Sequence, residues 1–188
     1  NYSRSAEFPG FGEVFQTIGT PPTSTVVSAI RPQRAWTDEV GTRGRAGMLR
    51  WDVALYSASI RGELLQFTTN STIPAATFNA DRTRHRGIEA GLDIEPTGWL
   101  RLRQVYSYSD FRFRNDAQFG DNRLPVVPRH AYRAELRLGT DALHIAPNLE
   151  WVPDGPFADY RNQVRTPGYA LLGVTGGAQI GRGLDVFV

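Results

Sequence analysis

Cysteine is absent from the 188 residues, which excludes disulfides and every thiolate-based zinc site. Lysine is absent too: all 21 basic residues are arginine, set against 19 acidic ones for a net charge of +2. The arginines are interleaved with carboxylates rather than gathered in a basic block, so the charge pattern gives nucleic acid no footing as a partner. Also missing is any apolar run approaching the roughly 20 residues that a membrane-spanning helix requires. A membrane β-barrel needs only alternate residues apolar, so a mean hydropathy of -0.36 leaves that route open. No Gly-rich phosphate loop or Ser-His-Asp arrangement occurs, and His85, His130 and His144 are too scattered for metal-ligand spacing. Asp116 and Asp121 share one loop but lack the regular oxygen-ligand pattern of a calcium site. The expectation is therefore no catalytic residue, no metal site and no cofactor.

What is present is a two-residue period interrupted by connections of two kinds. Ala46-Leu49, Glu95-Gly98, Gly139-Asp141 and Ile180-Gly183 read as tight turns, whereas Pro9-Arg34, Leu65-Asp81, Phe113-Arg129 and Pro153-Thr166 read as long excursions. From Gly87 to Glu95, Ile88, Ala90, Leu92 and Ile94 share one face, and Gly87, Glu89, Gly91, Asp93 and Glu95 share the other. The next strand sets Leu100, Leu102, Tyr106 and Tyr108 against Arg101, Arg103, Ser107 and Ser109, so the two form a hairpin. Ala131-Gly139 opposes Tyr132, Ala134, Leu136 and Leu138 to Arg133, Glu135 and Arg137. Leu143-Trp151 follows with Pro147 on its apolar side, where the missing N–H predicts a local bulge. Ala35-Arg45, Arg50-Glu63, Gly168-Gln179 and Leu184-Val188, with a frayed strand at 1–8, bring the total to about nine.

Alternation alone suits a soluble antiparallel sandwich as well as a barrel wall. Strand length, the sidedness of the connections and tyrosines toward strand ends favour the antiparallel transmembrane barrel, whose signature is short turns on one side and long loops on the other. Residues 1–8 read as the end of a strand with no signal peptide before them, so the expectation is an internal piece of a longer protein.

Several strings are more specific. Asn1-Tyr2-Ser3-Arg4-Ser5 with Pro9-Gly10-Phe11-Gly12-Glu13, Trp36-Thr37-Asp38-Glu39-Val40-Gly41-Thr42-Arg43, and Asn79-Ala80-Asp81-Arg82-Thr83-Arg84-His85-Arg86-Gly87-Ile88-Glu89 are three of them. Tyr106-Ser107-Tyr108-Ser109-Asp110, Leu124-Pro125-Val126-Val127-Pro128-Arg129-His130 and Pro167-Gly168-Tyr169-Ala170-Leu171-Leu172 are three more. In order and over nearly the whole chain, they resemble the C-terminal barrel half of TonB-dependent outer-membrane receptors of the siderophore or ferric-chelate type. The resemblance implies an all-β, incomplete transmembrane barrel, about nine strands of a wall of about 22, with 1–188 a partial barrel domain lacking plug domain and barrel start and with its final strands truncated. It implies active import of a ferric siderophore or similar chelate as substrate, and no catalysis. The implied partners are outer-membrane lipid, the protein's own plug domain, and the TonB-ExbB-ExbD complex reached through an N-terminal region, in the outer membrane of a Gram-negative bacterium. The alternatives are a passive outer-membrane channel or adhesin barrel, and a soluble all-β binding module.

Two groups of side chains are candidate sites. Arg82, Arg84, Arg112, Arg114, Arg123, Tyr160 and Arg161 fall at or beyond the long-connection ends of strands, where guanidinium and aromatic groups suit an anionic chelate. Glu39, Arg43, Glu89, Arg101, Arg103, Arg133, Glu135 and Arg137 fall on polar faces, where they would meet a plug or pair across strands.

Overall fold

The computed structural model describes residues 1–18, 24–67, 76–180 and 185–187. Nine strands form one antiparallel sheet: β1 (Tyr2–Glu7), β4 (Gln33–Ala46), β5 (Leu49–Phe67), β6 (Ala76–Thr97), β7 (Leu100–Phe113), β8 (His130–Gly139), β9 (Leu143–Val152), β10 (Tyr169–Gln179) and β11 (Asp185–Phe187), neighbours in that order. The first long connection is itself structured. It holds a single helical turn, α1 (Phe11–Val14), and a hairpin of β2 (Phe15–Ile18) with β3 (Ser24–Val27), which the sequence reading left as an excursion. Glu13 closes α1 by accepting the Gly10 N–H at 2.6 Å, and the Phe11 and Phe15 rings stack 4.5 Å apart.

Two differences from the sequence reading concern strand length and proline. The excursion expected over Leu65-Asp81 is strand at both of its described ends, because β5 runs 19 residues to Phe67 and β6 starts at Ala76 and runs 22. Residues 68–75 lie outside the described ones, as does most of the Ile180-Gly183 turn. The first half of β6 hides its strand character because its outward residues are Arg82, Arg84 and Arg86 rather than aliphatics. The bulge expected at Pro147 is absent. Pairs before and after it, Glu135↔Asn148 and Leu138↔Ile145, keep one register, and Pro147 stands opposite Val174 on the other neighbour. The ladder skips the proline without inserting a residue. A true irregularity occurs instead inside β5, where Gly62 takes φ 65, a conformation that glycine adopts without strain.

By contact the chain divides into two compact units. The first comprises Asn1–Asp38, Ser57–His85 and Phe111–Arg123. Its interior holds Ala58, Ile60, Ala80 and Phe113, the last fully buried, with Phe119 tilted against Phe113 at 4.9 Å and against Phe78 at 6.1 Å. Asn79 ties the unit's chain segments together: its amide donates to the carbonyls of Arg31 and Gly62 and its oxygen accepts the Arg31 N–H.

The second unit, Glu39–Tyr56, Arg86–Asp110 and Leu124–Val188, holds the tight turns and the strands that lead from them. Its faces are divided as the alternation predicts. On the polar face Tyr56 lies over Gly87, where an added Cβ would meet the Tyr56 ring and hydroxyl and the Tyr108 carbonyl. On the other face Trp51 covers Gly44 and donates to the Thr42 hydroxyl at 3.4 Å. Glycines thus sit where a neighbouring strand's large ring needs their space. The aliphatic rows have no second protein layer against them among the described residues: Leu55 is 48% exposed, Leu143 67%, Val174 59% and Leu172 85%. A water-soluble sandwich would bury those rows in a shared core; here they stay exposed.

Replacing Gly87 by valine should force Tyr56 off its site and cost about 2 kcal/mol. The measurement is the temperature at which the intact barrel loses its folded electrophoretic mobility, and an unchanged midpoint would contradict the close packing described.

Candidate functional site

The polar face of the second unit is a lattice of cross-strand charge pairs. The β7–β8 register sets Arg101 opposite Arg137, Arg103 opposite Glu135 and Val105 opposite Arg133. The β8–β9 register sets Arg133 opposite Glu150. Arg101 forms a two-pronged ion pair with Asp93, its Nε 2.8 Å from Oδ1. Arg133 donates to Glu150 at 2.9 Å while the Tyr169 hydroxyl donates to the other Glu150 oxygen at 2.6 Å. Arg137 reaches Asp141 at 2.9 Å and approaches His144 Nδ1 at 3.4 Å. Between these lies an open cleft of about 280 Å³ lined by Arg103, Val105, Arg133, Glu135, Asn148 and Glu150. Glu39 and Arg43 on β4 and Glu89 on β6 are exposed. This wall is wet, charged and nearly balanced, which suits it to a polar passage and to transient contacts with another polar surface.

The first unit brings together five of the arginines singled out from sequence. Arg114 donates its N–H to the Arg82 carbonyl at 2.9 Å, Arg112 and Arg123 form an antiparallel bridge, and the Arg114 side chain lies 3.4 Å from Asp121. Arg84 follows two residues after Arg82 on the same strand. Alternation puts these side chains on the face opposite Thr83 and Phe113, both fully buried. Asp116 and Asp121 are occupied in shaping the loop: Asp116 accepts the N–H groups of Gln118 and Phe119, and Asp121 accepts that of Asn115.

Tyr160 and Arg161 belong to the second unit, in the connection between β9 and β10. Asp159 organises it, its carboxylate accepting the N–H groups of Arg161, Gln163 and Val164 at 2.8 to 3.1 Å, while Asn162 takes φ 57. Arg165 fastens the same loop by donating to the Gly155 carbonyl at 3.0 Å and pairing with Asp154 at 3.4 Å. The Phe157 carbonyl accepts the Val126 N–H, joining this loop to the preceding one. In that preceding loop Arg129 donates to the Tyr108 hydroxyl, which pushes its already high pKa further up.

One cluster escaped the sequence reading. Glu63, buried on β5, accepts from the fully buried Thr83 hydroxyl, and its other oxygen lies 3.3 Å from His85 Nε2. His85 stacks on Phe111 with ring centroids 4.1 Å apart. The only signal was a glutamate flanked by Gly62 and Leu64-Leu65, indistinguishable in sequence from a strand end.

Comparison with known proteins accords with this architecture. The family profile for the TonB dependent receptor-like β-barrel matches residues 1–188. Among solved structures, the copper transporter OprC superposes with a TM-score of 0.77 at 16% identity, over 98% of this chain and 29% of that one. The ferric yersiniabactin uptake receptor FyuA from Yersinia pestis gives 0.72 at 18% identity, covering 99% and 28%. The siderophore receptor PiuA from Acinetobacter baumannii gives 0.71 at 20%, covering 98% and 27%. At these identities the likeness is one of fold, and the chain spans less than a third of each structure's length. No curated protein matches it in sequence.

The burial contrast between the two charge clusters yields a paired expectation. Glu63→Ala should cost about 2 kcal/mol, because it strands a buried hydroxyl and imidazole, whereas Arg133→Ala, at a 70% exposed guanidinium, should cost under about 1 kcal/mol. Denaturant midpoints of the two variants check this; equal costs would refute it.

Proposed function

Because this chain belongs to the TonB-dependent receptor β-barrel family, whose members are receptors of the Gram-negative outer membrane rather than enzymes, we propose that it forms part of the wall of an active importer for a ferric siderophore or similar metal chelate. The observation that carries the proposal is the full-length family match on a sheet with one bare aliphatic face and one charged face. In this reading the aliphatic face meets outer-membrane lipid and the charged face lines the lumen. Edge strands β1 and β11 pair with further strands of the same wall, which closes the barrel and satisfies their free backbone groups.

Energy reaches such a receptor through the TonB-ExbB-ExbD complex acting on a plug domain. Glu39, Arg43, Glu89, Arg101, Arg103, Arg133, Glu135 and Arg137 are the side chains that would touch the plug. Mixed-sign pairs of this kind hold a polar partner weakly, each contact being worth little in a wet interior, so a pulled plug can leave without breaking any single strong bond. The cargo meets Arg82, Arg84, Arg112, Arg114 and Arg123 of the first unit, or Tyr160 and Arg161 of the second, which offer forked cations and a ring to an anionic chelate. The chelate is substrate, not a resident cofactor.

Two measurements test this. A strain lacking the gene should lose growth on its chelate when other iron sources are withheld; undiminished growth and uptake would remove the assignment. In the intact receptor, the double variant Arg112→Gln, Arg123→Gln should weaken chelate binding by about tenfold or more, the loss expected of charge-assisted hydrogen bonds, while Arg133→Gln leaves affinity unchanged.

A further inference from the structure

The buried cluster that joins β5 to β6 contains an anomaly. His85 Nε2 is buried and has no hydrogen-bond partner, although Glu63 Oε1 stands only 3.3 Å away. A pair bonded for its own sake would draw the two atoms to about 2.7 to 2.9 Å and align an N–H with the oxygen. A buried nitrogen left in this state calls for a ligand. The separation is the one that two donors to a single ion would keep. A metal about 2.0 to 2.2 Å from each, at the tetrahedral angle, sets nitrogen and oxygen about 3.3 to 3.5 Å apart.

The surroundings suit a ligand pair. The other Glu63 oxygen accepts from the fully buried Thr83 hydroxyl, which orients the carboxylate with Oε1 toward the imidazole. Phe111 holds the His85 ring, stacked at 4.1 Å with the planes 5° from parallel. Both ligands still reach solvent, their side chains being 18% exposed for His85 and 12% for Glu63. The left-handed Gly62, at φ 65, interrupts the alternation of β5 just before Glu63, and the carboxylate beyond it meets β6. Along β6, His85 keeps step with Gly87 and Glu89, so the pair belongs to the charged face and not to the aliphatic one. No third histidine, aspartate or glutamate completes a metal-binding group among the described residues. Half of a tetrahedral sphere is therefore left to water or to an incoming donor.

We propose that Glu63 and His85 bind a borderline divalent ion of the zinc, copper(II) or nickel(II) class, with Thr83 orienting the carboxylate and two coordination positions open. Imidazole beside carboxylate suits those ions, whereas calcium and magnesium take oxygen ligands alone. Open positions make this a site of exchange rather than a closed structural centre. The ion also joins β5 to β6. Sequence spacing gave no hint of it, because the two ligands come from different strands and meet only through their pairing. The proposal stands on the geometry of this pair and not on the cargo or the plug, so loss of the import reading would leave it intact.

The test uses the intact receptor, purified in detergent and stripped with EDTA. Zinc titration followed by calorimetry should reveal a site that His85→Gln and Glu63→Gln each weaken by about tenfold or more, and Thr83→Val by about tenfold. His130→Gln, in the other unit, should leave it unchanged. Cobalt(II) at the same site should give the visible absorption of a four-coordinate ion, lost in His85→Gln and Glu63→Gln. Saturating zinc should raise the temperature at which the wild type loses its folded electrophoretic mobility and leave that of His85→Gln unmoved. Calcium or magnesium at millimolar concentration should not displace the zinc. Should Glu63→Gln not fold, His85→Gln, which keeps the Thr83 bond, must still lose the site. Zinc bound equally by the wild type and His85→Gln, a midpoint that zinc does not move, or displacement by calcium would each overturn the assignment.

Discussion

Hydrocarbon offers no water to take up a backbone N–H or C=O, and the long antiparallel ladder from β4 to β10 pairs these groups within the protein, as a barrel of this family requires. Everything else follows from the ladder. Once the backbone is committed to extended geometry, side chains fall alternately on two faces, and each face is free to suit a different solvent. The aliphatic rows of Leu55, Leu143, Leu172 and Val174 are exposed without being a defect, and the opposite rows carry Arg101, Arg133 and Arg137 with their carboxylates. Cross-strand packing then adjusts the fit locally, as Tyr56 over Gly87 and Trp51 over Gly44 show.

Pro147 tests how strictly that demand applies. A proline removes one donor, yet the pairing on both sides of it stays in one register. Losing one donor costs the ladder less than displacing every residue after it, because a one-residue slip would turn each following side chain to the wrong solvent.

The sequence was most readable where the two solvents differ most. β7, β8 and the second half of β6 alternate cleanly because one face of each is aliphatic and the other polar, so their boundaries and faces could be assigned from the residues alone. Legibility faded where both faces are wet or packed: the stretch from Ala76 to Arg86 is strand in the fold but carries arginine where aliphatics would have marked it. The β2–β3 hairpin is too short for its period to stand out. The Glu63 cluster depends on which residues become neighbours across strands, information that resides in register and not in any local string. Arg82, Arg112, Arg114 and Arg123 could be grouped in advance because they mark strand ends; that they share one face became visible only with the pairing.

The order of the sheet also bears on how the wall comes into being. From β4 onward every strand pairs with its neighbour in the chain, and the one departure, β1 beside β4, is bridged by a segment that folds into a hairpin of its own. Loop-closure entropy is therefore small at each step and rises only slowly with connection length. No strand must wait for a remote partner. Assembly can advance by zippering one ribbon after another, keeping the number of unsatisfied edges constant while the wall lengthens, and a long insertion at the outer ends slows that advance little.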